Sequence, residues 1–389
     1  MHCYRKLLLV VVAGFSVLVL TGCWSRIEIN DNAFVTVMYI DRPEDDQFEV
    51  SLGFPLPNRM ATGSMSTNTS NGNSYSIVTK RAESIPVAIR KIRSDLSREI
   101  TWGHCRVVVV GRKMAEHGIS QLLEFASRQP SFHTKSYLFV SMATGQDIAK
   151  LTPVFERLPS EIVREFAQRH VTLGTTIKDF LQAEAAGGDM VAGLLTLGDV
   201  EMISEKGKVS RWVGTDGAAV FKAGAMVGDL DVMQMRAGLW LQGNMKSSLN
   251  SLRSPKDNKI ISFLIQSSKA SIKPHVQGDR IWFTIDVEAE DDIISSESQL
   301  NLLDPENINM LEGMLTEQLN GRILKAIKAT QAIESDAFNF GRILEWHYPK
   351  VWEKNKNQWR DIYKNCEFVV NSKIFVRRTG TEKNSVTSK

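Results

Sequence analysis

The sequence predicts an α+β fold: mixed sheets with covering helices in two or three small domains, and a long helix packed on an antiparallel sheet in the C-terminal part. Three observations carry that expectation. Helical and strand patterns interleave between residues 84 and 142, at the spacing of a mixed sheet with covering helices. Residues 281–289 alternate apolar and polar, as a strand does with one face in a core and one in water. From residue 304 to 333 an apolar stripe recurs at helical spacing for about seven turns. With 389 residues and 43% hydrophobic side chains, the chain has the length for more than one core.

Residues 1–22 read as an export signal. Arg5 and Lys6 form a short basic start, and an apolar run follows at 7–20, broken only by Gly14 and Ser16. Its 14 residues fall short of the roughly 20 that cross a bilayer as a helix, so the segment is expected to be cleaved. It ends in Leu20-Thr21-Gly22-Cys23. An ordinary signal peptide that stops near a cysteine, or an uncleaved anchor, are other readings of these residues. Loss of Arg5 and Lys6 takes the 47 basic side chains to 45, against 44 acidic ones. A chain so balanced lacks the basic excess of a nucleic-acid binder and the polybasic face that would hold it on a membrane by charge. Cys3 leaves with the signal, so Cys105 and Cys366 remain beside Cys23. Cys105 opens a valine run and is expected to be a buried free thiol in a strand; a pairing with Cys366 is the other reading.

The mature chain divides into 23–210, a mixed α/β domain with room for two modules, and 211–389, an α+β domain. Residues 24–31 are a short polar tether. Residues 33–40 and 47–54 are β-branched, aromatic or alternating and flank the turn-forming 41–46, which predicts a hairpin. Residues 62–76 are almost all Ser, Thr, Asn or Gly and read as a loop with too little apolar surface to offset ordering. Residues 84–97 predict a helix, with Pro86 in its first turn and Ile85, Val87, Ile89, Ile92 and Leu96 on one side. A strand is expected at 105–110, a helix at 113–127 with Met114, Leu122, Phe125 and Ala126 inward, and a strand at 135–142. Residues 146–186 read as helical pieces broken at Pro153, Pro159 and Gly174. Gly187, Gly188 and Gly193 then loosen the chain, and 205–208 looks like a hairpin tip.

In the second half, residues 217–228 predict two short strands around a glycine turn, and 259–265 another strand. Ile281, Phe283, Ile285, Val287 and Ala289 mark the inner face of the clearest strand. Asp304-Pro305 starts the long helix, with Asp as N-cap. Gly313 and Gly321 interrupt it, and close packing on the sheet is the expected reason. A tryptophan-rich helical stretch at 346–359 and an alternating strand at 368–376 end the folded chain.

Recognisable chemistry is sparse. There is no Gly-x-Ser-x-Gly elbow, no His-Glu-x-x-His and no Cys-x-x-Cys, and the seven His are dispersed. Neither catalytic nor metal-ligating residues nor a cofactor site can be named. Glu288, Glu290, Asp291 and Asp292 could hold a cation but read more simply as a solvated strand end. Trp352 and Trp359, seven apart, could present a platform for a sugar or a partner, with core packing as the default.

Three blocks, taken together, resemble one family. Residues 22–30, with Gly22-Cys23-Trp24, resemble a lipobox and its tether. Gly217-Ala218-Ala219-Val220-Phe221-Lys222 with 226–230 resembles the opening of the family's C-terminal domain. Asp336-Ala337-Phe338-Asn339-Phe340-Gly341, then Pro349, Trp352, Trp359 and the last strand, resemble its end. With Leu96-Ser97-Arg98 and 104–111, the match spans nearly all of the mature chain. The family is the Ger(x)C lipoproteins, the C subunits of nutrient germinant receptors in endospore-forming bacteria. The resemblance implies a non-enzymatic subunit, with Cys23 as the lipidated first mature residue. It implies a place on the outer leaflet of the spore inner membrane, beside membrane-embedded A and B subunits, and no cofactor. Arg26 departs from the acidic-then-basic pair that often follows Trp in the family. The residues alone also admit an extracytoplasmic solute-binding lipoprotein of a transporter, which would need two similar α/β lobes around a cleft. They leave direct nutrient binding open.

Overall fold

The structure, a computed structural model, describes residues 4–6, 29–57, 73–202 apart from 152, 154 and 186, and 208–379. Most of the polar stretch at 62–76 lies outside the described residues. The predicted hairpin forms as β2 (Val37–Glu44) and β3 (Gln47–Pro55), and β4 (Tyr75–Ala82) adds to it. A short β1 (Asn32–Phe34) pairs in parallel with β5 (Glu99–Thr101). Helix α1 (Ile85–Ser94) carries Pro86 in its first turn and buries Ile85, Ala88 and Ile92. Strand β6 (Val107–Gly111) is buried on both faces, as four consecutive valines require. Cys105, a buried free thiol, lies just ahead of it rather than within it.

The single helix expected at 113–127 is two, α2 (Arg112–His117) and α3 (Ser120–Arg128). Gly118 separates them at a φ of 117°, which ends α2. Then come β7 (Tyr137–Ser141), α4 (Gly145–Ala149), α5 (Pro159–Gln168) and α6 (Ile177–Glu184). The expected loosening stops at Asp189. Strand β8 (Met190–Met202) starts there and contains Gly193, which packs against Phe139. The predicted tip lies outside the described residues up to 207, but Met202 pairs with Lys208 at the start of β9 (Lys208–Lys222). Strand β10 (Ala225–Leu230) turns back on β9.

These strands form one sheet in the order β10-β9-β8-β7-β6-β2-β3-β4, in which β8, β7, β6 and β2 run parallel. Helices α1, α2, α3 and α6 cover one face, and α4 and α5 cover part of the other. The second sheet has the order β11-β12-β13-β14, from β11 (Ser248–Arg253), β12 (Ile260–Gln277), β13 (Arg280–Ser296) and β14 (Glu367–Arg378). The first three strands are antiparallel, and β14 joins β13 in parallel. Helix α7 (Val232–Leu241) and the long α8 (Pro305–Ala332) pack on this sheet around a core that includes Phe263, Phe283 and Leu315. The chain then makes α9 (Phe340–His347), α10 (Pro349–Asn355) and α11 (Trp359–Asn365) before β14. The two sheets differ in strand number and direction, so they are not the paired similar lobes of a solute-binding protein.

The division expected at residue 210 falls inside β9, a strand paired on both sides within the eight-stranded sheet. Ala219 and Phe221 of β9 face the core under α3 and α6, whereas Ala218 and Val220 face the core of the second sheet.

Asp304 caps α8 as predicted, its carboxylate accepting from Glu306 N at 3.0 Å. Gly313 and Gly321 do not pack on the sheet. Both are exposed, with no atom within 4 Å of an added Cβ. They therefore cost helix stability and make no contact in return. Gly313→Ala and Gly321→Ala should each stabilise the protein by about 1 kcal/mol. A urea titration that shows no gain in either variant would refute this.

Candidate functional site

The blocks at 217–222 and 336–341, with Trp352 and Trp359, meet in space where the two sheets join. The chain leaves α8 through Glu334, at a φ of 56°, and Ser335 donates its hydroxyl to Phe221 O in β9 at 2.8 Å. Asp336 follows and is buried. Its Oδ1 accepts from Phe340 N at 2.9 Å, and its Oδ2 accepts from Gly341 N at 2.6 Å and Trp359 Nε1 at 2.8 Å. One carboxyl thus ties the start of α9 to the start of α11. Asp336 N donates to Asp189 Oδ2 at 3.0 Å, and Asp189 Oδ1 accepts from Ala223 N at 3.2 Å and from the Arg360 guanidinium at 2.6 Å. Asp189 stands at the entry of β8, so the pair Asp189–Asp336 links the eight-stranded sheet to the C-terminal helices.

Burial pushes the Asp336 carboxyl up to about 7, against the hydrogen bonds from Gly341, Trp359 and Phe340, and the nearby Asp189 charge adds to the rise. Glu334, on the surface, is the reverse case. Lys364 at 2.7 Å and Lys222 at 3.1 Å hold its carboxyl down at about 2. A cavity of about 260 Å³ opens beside the junction, and three of the acids in its wall, Asp189, Glu334 and Asp336, already have partners. The Asp189–Asp336 pair fixes the geometry of the junction.

Trp352 and Trp359 belong to separate helices, α10 and α11, not to one helical face as their spacing suggests. Both are buried, with ring centroids 5.6 Å apart and edge to face. Gly341 lies beneath them: a Cβ there would come within 2.6 Å of Trp359 Nε1 and 2.8 Å of the Trp352 ring. The pair is packed in the core, as the default expectation had it, with the two indoles closed over a glycine.

Cys23 lies outside the described residues. Cys105 and Cys366 are both free and buried, and burial pushes each thiol up to about 12, so neither is a reactive thiolate near neutral pH. The acidic patch is not a solvated strand end. Glu290 pairs with Arg377 at 2.7 Å, Asp292 is buried and accepts from Gln266 at 2.9 Å, and Asp291 is buried with neither oxygen hydrogen-bonded. Among the described residues no three His, Cys, Asp or Glu side chains gather as a metal set.

Burial raises Asp291 from 3.8 to about 6. A raised carboxyl contributes stability that is fully present below the unfolded value and lost as pH climbs through the folded one. Asp291→Asn should therefore stabilise the fold at pH 7 by on the order of 2 kcal/mol and leave it little changed at pH 4. Equal stability of both proteins at pH 7 would overturn this.

Asp189 and Arg360 have no motif around them. The only hint is Gly187-Gly188, which brings the chain close to the Ala223 turn.

A family profile described as a spore germination protein N-terminal domain matches residues 25–197, and one described as spore germination B3/GerAC like, C-terminal, matches 216–380. The chain is 26% identical to spore germination protein KC of Bacillus subtilis (strain 168), over 98% of each chain. It is 24% identical to putative spore germination protein YfkR of the same organism, over 93% of this chain and 94% of that one. The crystal structure of the GerBC protein superposes with a TM-score of 0.57 at 18% identity, covering 87% of this chain and 96% of that one. That likeness shows the fold.

Proposed function

Because the chain belongs to the Ger(x)C family of spore germination proteins, we propose that it is the lipid-anchored, non-enzymatic C subunit of a nutrient germinant receptor. The observation that carries this is that two profiles of one family tile the chain in order, from 25 to 380. Among the described residues no helix is long and apolar enough to cross a membrane. In this reading attachment is the task of Cys23, acylated and left as the first mature residue after removal of 1–22. Each acyl methylene buried contributes about 0.8 kcal/mol, and two or more chains hold a protein stably on a bilayer. We place the subunit on the outer leaflet of the spore inner membrane, touching the membrane-embedded A and B subunits. Confinement to that layer raises the effective concentration of the partners, so weak contacts suffice.

Deletion of the gene tests the receptor reading: spores should lose release of their stored solutes in response to one nutrient class while answering non-nutrient triggers. Normal responses to every nutrient would refute it. Cys23→Ala tests the anchor. The variant should lose fatty-acid label, leave the membrane fraction and lower receptor occupancy by ~100-fold or more. Full germination with the variant off the membrane would sink the proposed role of the lipid.

A further inference from the structure

Strands β2, β6 and β7 are parallel and end at one edge of the large sheet. The connections that leave them part company there. Strand β6 runs into α2 and α3 on one face, and β7 runs into α4 and α5 on the other. Strand β2 instead turns back to β3, away from β6. Where the connections of neighbouring parallel strands diverge, the loops separate and leave a crevice beyond the carboxyl ends, and open α/β sheets use that crevice for ligands. Here it measures about 730 Å³, within the size range of small-molecule sites.

Its charges are unevenly matched. Arg81 pairs with Glu49 at 2.5 Å, Arg112 with Glu116 at 2.8 Å and Lys150 with Asp147 at 3.2 Å. Asp41 is also in the wall, but its oxygens accept from Gly145 N at 2.6 Å and Gln146 N at 3.0 Å. Among the described residues two cations of the crevice, Arg42 and Lys113, have no carboxylate partner. The Arg42 guanidinium is held 5.1 Å from the centroid of the Phe48 ring, and its Nε is buried with no hydrogen-bond acceptor. That nitrogen is shut off from solvent, so a solute would meet the guanidinium at its outer edge, where an oxyanion gains charge-assisted hydrogen bonds from an arginine that has no carboxylate.

We propose that this crevice binds a small solute bearing an oxyanion, a carboxylate or a phosphate, through Arg42 and Lys113. The proposal uses neither the lipid anchor nor the membrane partners. Bound solute would bridge the last residues of β2, where Arg42 lies, and the first turn of α2, where Lys113 follows β6.

The test is thermal unfolding of the full mature chain in detergent with sodium succinate, with inorganic phosphate, and with sodium chloride at matched ionic strength. Succinate or phosphate should raise Tm in a saturable way, while chloride should not. A response to succinate alone identifies a carboxylate solute, and a response to phosphate alone a phosphate one. Arg42→Gln and Lys113→Gln should each weaken binding about ten-fold. Lys113 is exposed, so its variant remains decisive if Arg42→Gln fails to fold. The proposal is overturned if neither anion outperforms chloride, or if Lys113→Gln responds as the native chain does.

Discussion

Asp336→Ala should lower the stability of the protein by about 4 kcal/mol, because it leaves three buried donors without an acceptor. They are Phe340 N, Gly341 N and Trp359 Nε1, which now converge on one carboxyl. Against that loss stands relief from burying an acid, and the balance depends on pH. The carboxyl is raised from 3.8 to about 7, so its own contribution is complete below about pH 4 and fades as pH rises through 7. The gap between native protein and variant should therefore be widest near pH 4 and narrower at pH 8. Chemical denaturation at both values measures it. A gap that widens with pH would mean that the ionised carboxylate is the form the junction was built around. At neutral pH the variant should melt ~8 °C lower or more.

Gly217→Ala should be as damaging, for a steric reason. Gly217 has a φ of 95°, and a Cβ there would stand 1.9 Å from the carbonyl oxygen of Leu230. That oxygen belongs to β10 backbone, so no rotamer change can relieve the clash. Leu230 pairs with Ala218, and Asp231 immediately caps α7, whose Met235, Leu239 and Trp240 lie in the C-terminal core. Strain at a positive φ and displacement of packed backbone together should cost about 3–5 kcal/mol. Purified Gly217→Ala with a Tm within a degree or two of the native chain would refute the account.

Much of the architecture is written locally. The alternation from Ile281 to Ala289 is the inner face of β13, and Asp304-Pro305 is the cap and first turn of α8. Both patterns reflect forces that act within a few residues. Glycine is where local reading fails. Gly118 divides a helix, Gly193 sits in a strand, and Gly313 and Gly321 look onto solvent, because a missing side chain has several uses that only the surroundings distinguish. The junction was half legible. Asp336, Gly341, Trp352 and Trp359 stand together in one block, but Asp189 lies 147 positions from Asp336 and 171 from Arg360. Nothing in the spacing of those residues announces that they touch. The charged crevice was not legible at all, since Arg42 and Lys113 become neighbours only when β2 and β6 pair.

Strand β9 places alternate side chains in two different cores, with Ala219 and Phe221 on one side and Ala218 and Val220 on the other. Each core draws side chains from the same strand, so the halves should unfold in a single calorimetric transition, and two separated transitions would refute this. In the receptor subunit proposed above, that common strand would couple a displacement of one sheet to the other.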